Sequence, residues 1–167
     1  MERVRREAGT AGIEGLTVRR ATVDDVEAMV RLREAMQTDF SIADAGRLAE
    51  GNREYIERKL PTEEFVAFVA ESEGEMVATS GMVVYEAPPT AGSPSGVEGY
   101  ILNMYTVPER RGEGISRMLL ERLIEYGKSL GARRLWLRTN AMGRGVYAEA
   151  GFVEDADYMR LRLRPVE

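Results

Sequence analysis

The chain has 167 residues, carries 23 Lys or Arg against 28 Asp or Glu for a net charge of -5, and is 44% hydrophobic, enough for one domain with its own core. It holds neither Cys nor His, which excludes disulfides, thiolate clusters, cysteine nucleophiles, histidine metal ligands and every histidine-centred relay. The acidic balance argues against specific nucleic-acid binding, and no apolar run is long enough for a leader or a membrane span, so a cytoplasmic protein without a metal is expected.

Residues 1–15 mix Arg, Glu, Gly and Ala without a period and read as a mobile extension, leaving 16–167 as the single domain. Leu16–Arg20 is a short strand candidate. Thr22 and Asp25 are spaced to start a helix whose apolar face carries Val26, Met29, Val30, Leu32, Met36 and Phe40. A second helical stretch covers 45–60, with Leu48, Tyr55, Ile56 and Leu60 as buried anchors and Pro61 as its stop. Two Val- and Phe-rich runs, 65–72 and 76–87, separated by Gly74 and Glu75, read as an antiparallel hairpin. Residues 87–99, dense in Pro, Gly and Ser, form a loop, and 100–107 a further strand halted by Pro108. The period then becomes helical through Ile115, Leu119, Leu120, Leu123, Ile124 and Leu130, and Gly131 closes the turn. Strand-like alternation returns over 133–138, a short helix ends at Gly151, and 158–164 reads as a last strand with Met159, Leu161 and Leu163 on one face. The order predicts a mixed α/β fold with an antiparallel beginning and at least one strand-helix-strand crossover.

The most informative stretch is Arg111-Gly112-Glu113-Gly114-Ile115-Ser116, two glycines between a strand and an amphipathic helix. The first amides of such a helix have no helical carbonyl partner and can point at phosphate oxygens, helped by Arg110, Arg111, Arg117 and the helix dipole. A Walker loop does not fit, because no Lys follows the glycines, and a dinucleotide fingerprint fails at its third glycine. An ordinary turn with surface arginines is the competing reading.

With these residues in view, the chain resembles the GNAT superfamily of acyl-CoA-dependent N-acyltransferases over about 16–163, most strongly over 103–152. The family's Arg/Gln-x-x-Gly-x-Gly/Ala pattern maps onto Arg111, Gly114 and Ser116, with serine in place of the usual glycine or small apolar residue. The resemblance implies a mostly antiparallel central sheet with a splayed strand pair and flanking helices. It also implies that Gly112, Glu113, Gly114, Ile115, Ser116 and Arg117 hold the pyrophosphate of acetyl-CoA, and that Met104, Tyr105, Thr106 and Val107 line its pantetheine arm. The Ser116 hydroxyl would either cap local backbone or bond phosphate. A homodimer is a further expectation from the resemblance.

Asn140 and Tyr147 correspond to a recurrent family segment ending in Tyr-x-x-x-Gly-Phe. Tyr147 is assigned to cofactor contact and to catalysis, as acid or as donor to the departing thiolate. With reference pKa values near 8.5 for a thiol and 10 for a phenol, full proton transfer is uphill by roughly 2 kcal/mol, whereas a hydrogen bond to developing charge is favourable. Asn140 would either cap a helix entrance or bond the coenzyme. The acceptor amine must lose a proton before attack. The strand glutamate common in the family has no direct match here, so a water path through Asn103 with Glu86 or Glu98 is expected. Glu34, Asp39 and Glu50 could attract an amine, but wet-face charge is the simpler reading. Tyr85, Tyr100 and Tyr105 are candidates for the acceptor side, although Tyr100 and Tyr105 face opposite ways on an uninterrupted strand. Trp136 reads as a core or interface residue. The activity implied is acetyl transfer to an amine of a small molecule or peptide; the alternative is a noncatalytic acyl-CoA-binding regulator.

Overall fold

The computed structural model describes residues 13–41, 45–156, 158–161 and 163, so the expected N-terminal extension lies almost wholly outside the described residues. Five strands form one sheet in sequence order: β1 Leu16–Arg20, β2 Phe65–Ser72, β3 Glu75–Glu86, β4 Val97–Thr106 and β5 Arg134–Leu137. Every neighbouring pair is antiparallel except β4 and β5, which are parallel and joined by a helical crossover.

Helices α1 Val26–Asp39 and α2 Ala49–Lys59 cover one face of the sheet, and α3 Ile115–Ser129 covers the other. The α1/α2 side is sealed by Met29, Val30, Ile56 and Leu60 against Phe65, Ala67 and Val69. Full burial of a side chain the size of Phe65 stabilises the fold by about 1.5–3 kcal/mol. On the other side Ile115, Leu119, Leu120 and Leu123, each at most 1% exposed, pack on Ala78, Met82 and Ile101. Leu135 of β5 fits where glycine leaves room: a Cβ on Gly99 or Gly127 would come within 2.7 or 2.9 Å of its side chain. Two residues of the α1 entrance behave as their spacing predicts, the Thr22 amide donating to Asp25 Oδ2 at 2.7 Å.

Four local expectations change. Leu48, expected buried, is 45% exposed, because 45–48 is a 3-10 turn that rotates it off the α2 core stripe. The hairpin turn is Glu73 and Gly74, both at positive φ, with Glu75 already the first residue of β3. Strand β4 begins at Val97, inside the expected loop, since Val97, Glu98 and Gly99 pair with Glu86, Tyr85 and Val84. The expected last strand is absent among the described residues: 158–161 and 163 pair with nothing as strand, and Met159, Leu161 and Leu163 are 82–99% exposed. Arg162 and Arg164 of that stretch lie outside the described residues.

Candidate active site

The site is built where β4 and β5 part. Their pairing runs from Glu98 with Arg134 to Ile101 with Leu137 and stops there, while β4 continues to Thr106 with no strand on that side among the described residues. Beyond Ile101 the backbone groups on that edge therefore have no strand partner among the described residues.

At the parting point Asn103 adopts φ 56, a left-handed conformation that a non-glycine residue takes only when its surroundings impose it. The β3–β4 register jumps there, from Gly81 opposite Leu102 to Thr79 opposite Tyr105, which is a β-bulge. One added residue resets the alternation. Leu102 packs with the α1/α2 core, Met104 with the α3 core, and the Tyr105 hydroxyl reaches Asp39 of α1. Tyr100 and Tyr105 thus share the α1/α2 face, which an uninterrupted strand would not allow and the bulge does. The α1 residue Arg33 holds the bulge, donating through Nη1 to Asn103 Oδ1 and through Nε to Asn52 Oδ1 at 2.8 Å.

Beyond Thr106 the chain makes a short 3-10 turn, Pro108–Arg110, and enters the glycine loop. Gly112 and Gly114 both have φ 83, and no atom lies within 4 Å of a Cβ built on either. Backbone conformation demands glycine here, and the space over the loop is open. Gly114 caps α3, whose first helical bond runs from the Met118 amide to the Gly114 carbonyl. The amides of residues 112–117 have no partner among the described residues. Donors converging at a helix N-terminus suit a pyrophosphate.

Arg111 points the other way: Nε donates to the Thr106 carbonyl and Nη2 to Asp39 Oδ2 at 2.6 Å. Asp39 is therefore not a free wet-face charge. It ties the end of α1 to both the loop and Tyr105, and the Arg111 and Tyr105 hydrogen bonds hold its carboxyl below the usual carboxylate range. Sequence reasoning missed this bracing role of Asp39, whose position on an amphipathic helix carried no sign of its distant partners. The Ser116 hydroxyl lies 2.9 Å from Thr106 Oγ1 and packs into the strand. Glu113 pairs with Arg110, and Arg117 with Glu121.

Tyr147 sits on α4 Arg144–Glu149, with its ring against Phe152 and against the same buried cluster that Met104 and Leu137 join. Its hydroxyl makes no hydrogen bond among the described residues, and burial pushes its pKa up, so the phenol stays protonated through the neutral range. Asn140 closes the turn before α4 by accepting from the Gly143 amide at 3.0 Å.

The carboxylates expected to work with Asn103 are elsewhere. Glu98 accepts from the Tyr85 hydroxyl at 2.6 Å and from Arg134 at 2.8 Å, in that order the causes that hold it ionised. It lies five residues from Asn103 along β4, about 16 Å at strand rise. Glu86 is exposed at the end of β3, opposite Val97, farther still. The Trp136 indole donates to the Tyr85 hydroxyl at 2.8 Å and packs on Tyr100 with ring centroids 4.3 Å apart. Glu98 therefore belongs to an aromatic and charged cluster at the closed end of the β4–β5 pair. Among the described residues no group of His, Cys, Asp or Glu could hold a metal ion.

Known proteins match this arrangement. The model of the Acetyltransferase (GNAT) family matches residues 29–152. The uncharacterized N-acetyltransferase YjgM of Escherichia coli (strain K12) is 28% identical over 146 residues, 84% of this chain and 83% of that protein. A predicted acetyltransferase from Clostridium acetobutylicum, crystallised with acetyl-CoA, superposes with a TM-score of 0.82 at 30% identity, over 89% of this chain and 96% of that one. A GCN5-related N-acetyltransferase from Ralstonia eutropha JMP134 gives 0.77 at 28% identity, over 89% and 99%. The fold as a whole is thus shared with solved acetyltransferases, one of them crystallised with acetyl-CoA, and the chain belongs to the Acetyltransferase (GNAT) family.

Proposed function

We propose that the protein transfers an acetyl group from acetyl-CoA to a primary amine of a small molecule or peptide. The observation that carries this reading is the run of unpartnered amides over residues 112–117, with open space over Gly112 and Gly114, adjoining the strand edge that β5 leaves unpaired. The two features offer donors for linked phosphates at one end and for an extended amide-bearing arm at the other, which is the chemistry of coenzyme A. When bound, acetyl-CoA supplies the activated acyl thioester.

The loop amides orient the pyrophosphate, and Met104, Tyr105, Thr106 and Val107 align the arm through backbone groups, so that its acyl end lies near Asn103. Arg111, anchored by Asp39 and Thr106, braces the loop. The uncharged amine forms the new C–N bond as the C–S bond breaks, and the proton that its nitrogen loses on becoming an amide passes through solvent to the departing sulfur, giving the free thiol. Tyr147 holds its proton and donates a hydrogen bond to the departing sulfur, where charge develops. Arg33 occupies the Asn103 oxygen, which leaves the side-chain NH2 to hold water at the bulge. Glu98 and Glu86 are too distant to join that water directly, so the proton shed by the incoming ammonium leaves to solvent.

The test is release of free thiol from acetyl-CoA with a panel of primary amines, in wild type and Tyr147→Phe. Turnover that requires an amine and falls about 100-fold or more in the variant supports the reading. Saturable acetyl-CoA binding without transfer to any amine makes the protein a noncatalytic acyl-CoA binder instead.

A further inference from the structure

Arg33 differs from the arginines that pair with carboxylates. Arg19, Arg53, Arg110 and Arg111 each meet a carboxylate at 2.8 Å or less. Arg33 is half-buried between α1, α2 and the β4 bulge, and among the described residues it meets only two neutral amide oxygens, those of Asn52 and Asn103. Burial pulls its pKa down, with no carboxylate opposing that effect. A guanidinium withdrawn from water without a counter-charge is an expensive arrangement.

The neighbouring donors are also unspent. The guanidinium has five N–H groups in a planar fork, and Nη2 has no partner among the described residues. Asn52 is fixed in orientation, because its oxygen must accept from Arg33 Nε. Its Nδ2 is then a true donor, and that atom is buried without a partner. Orphan donors beside an uncompensated cation call for an anion, and the planar fork matches a carboxylate. The place is telling: Asn103 stands just past the last β4–β5 pair, where the acyl carbonyl would lie.

We infer that Arg33 and Asn52 bind a carboxylate on the acceptor, so that the substrate is an amino-acid-like amine whose carboxylate lies a short reach from its reactive nitrogen. This rests on the proposed transfer to an amine and names its substrate class.

The experiment titrates protein saturated with coenzyme A with L-amino acids, and separately with the matching amino-acid amides and decarboxylated amines. Thiol release from acetyl-CoA is measured in parallel. Carboxylate-bearing members bind at least tenfold tighter than their neutral counterparts, and Arg33→Gln removes that preference. Asn52→Asp guards against a variant that merely misfolds. It places an internal carboxylate beside Arg33, raises the melting temperature, and weakens carboxylate-bearing acceptors tenfold or more without weakening the neutral ones. Equal binding of acids and amides overturns the inference whatever the turnover, as does an Asn52→Asp protein that keeps the acid preference. Selective binding of acids with no acetyl transfer would instead overturn the proposed enzymatic function and leave the carboxylate site standing.

Discussion

Gly114→Ala separates a binding loop from an ordinary turn, because α3 carries its own control. Gly114 at the start and Gly131 just past the end both lie at left-handed φ, 83° and 68°, and neither has an atom within 4 Å of a built Cβ. An alanine in that conformation costs about 1–2 kcal/mol, and at about 2–4 °C per kcal/mol for a domain of this size each variant should melt roughly 2–8 °C lower. The two positions are a whole helix apart, about 22 Å for 15 residues. The unpartnered amides cluster only at the Gly114 end. A methyl group there crowds any phosphate held by those amides and disturbs one or two charge-assisted hydrogen bonds, together about 1.5–3 kcal/mol, or roughly 10- to 150-fold in Kd. Calorimetric titration with coenzyme A, paired with thermal melts, reads both effects. Gly131→Ala should lose the same stability and bind normally. Equal weakening by both variants, or normal binding by Gly114→Ala, would refute the assignment of the loop.

Ser116→Ala should lower stability by about 1 kcal/mol through the stranded, buried Thr106 hydroxyl, with coenzyme A affinity within twofold and most of the loss recovered by adding Thr106→Val; a large rise in Kd would instead show the serine on phosphate. Asp39→Asn should raise the Kd for coenzyme A by freeing Arg111. The same residue predicts an acid limb. Its carboxyl is depressed in the fold, so its contribution is complete above the unfolded value near 4 and is lost as pH falls through the lower folded value. Urea midpoints of wild type should accordingly drop more steeply below about pH 4 than those of Asp39→Asn. For Tyr147 the shift is upward, so any alkaline loss of kcat owed to its ionisation should begin above the phenol reference near 10, and a limb below pH 9 that vanishes in Tyr147→Phe would contradict the proposed role.

Local chemistry alone announced the helices, the hairpin, the glycine loop and its attachment to α3. Apolar periodicity, a Thr-x-x-Asp entrance and glycine between strand and helix are all properties of a few adjacent residues. Ser116 could not be settled that way, because its partner Thr106 belongs to the preceding strand. Asp39 looked like solvent-facing charge because its partners stand 66 and 72 residues away. The bulge at Asn103 escaped pattern reading for a related reason. An extra residue in a strand is defined only by its register against β3, and that register turned Tyr100 and Tyr105 onto one face. Arg33 shows the same limit most plainly: on α1 it is one more arginine, and only the packing of α2 and β4 around it removes water without supplying a counter-charge. Sequence determined which segments could form and what the loop could hold. Tertiary structure decided which charges are compensated, since compensation depends on groups brought together from distant parts of the chain.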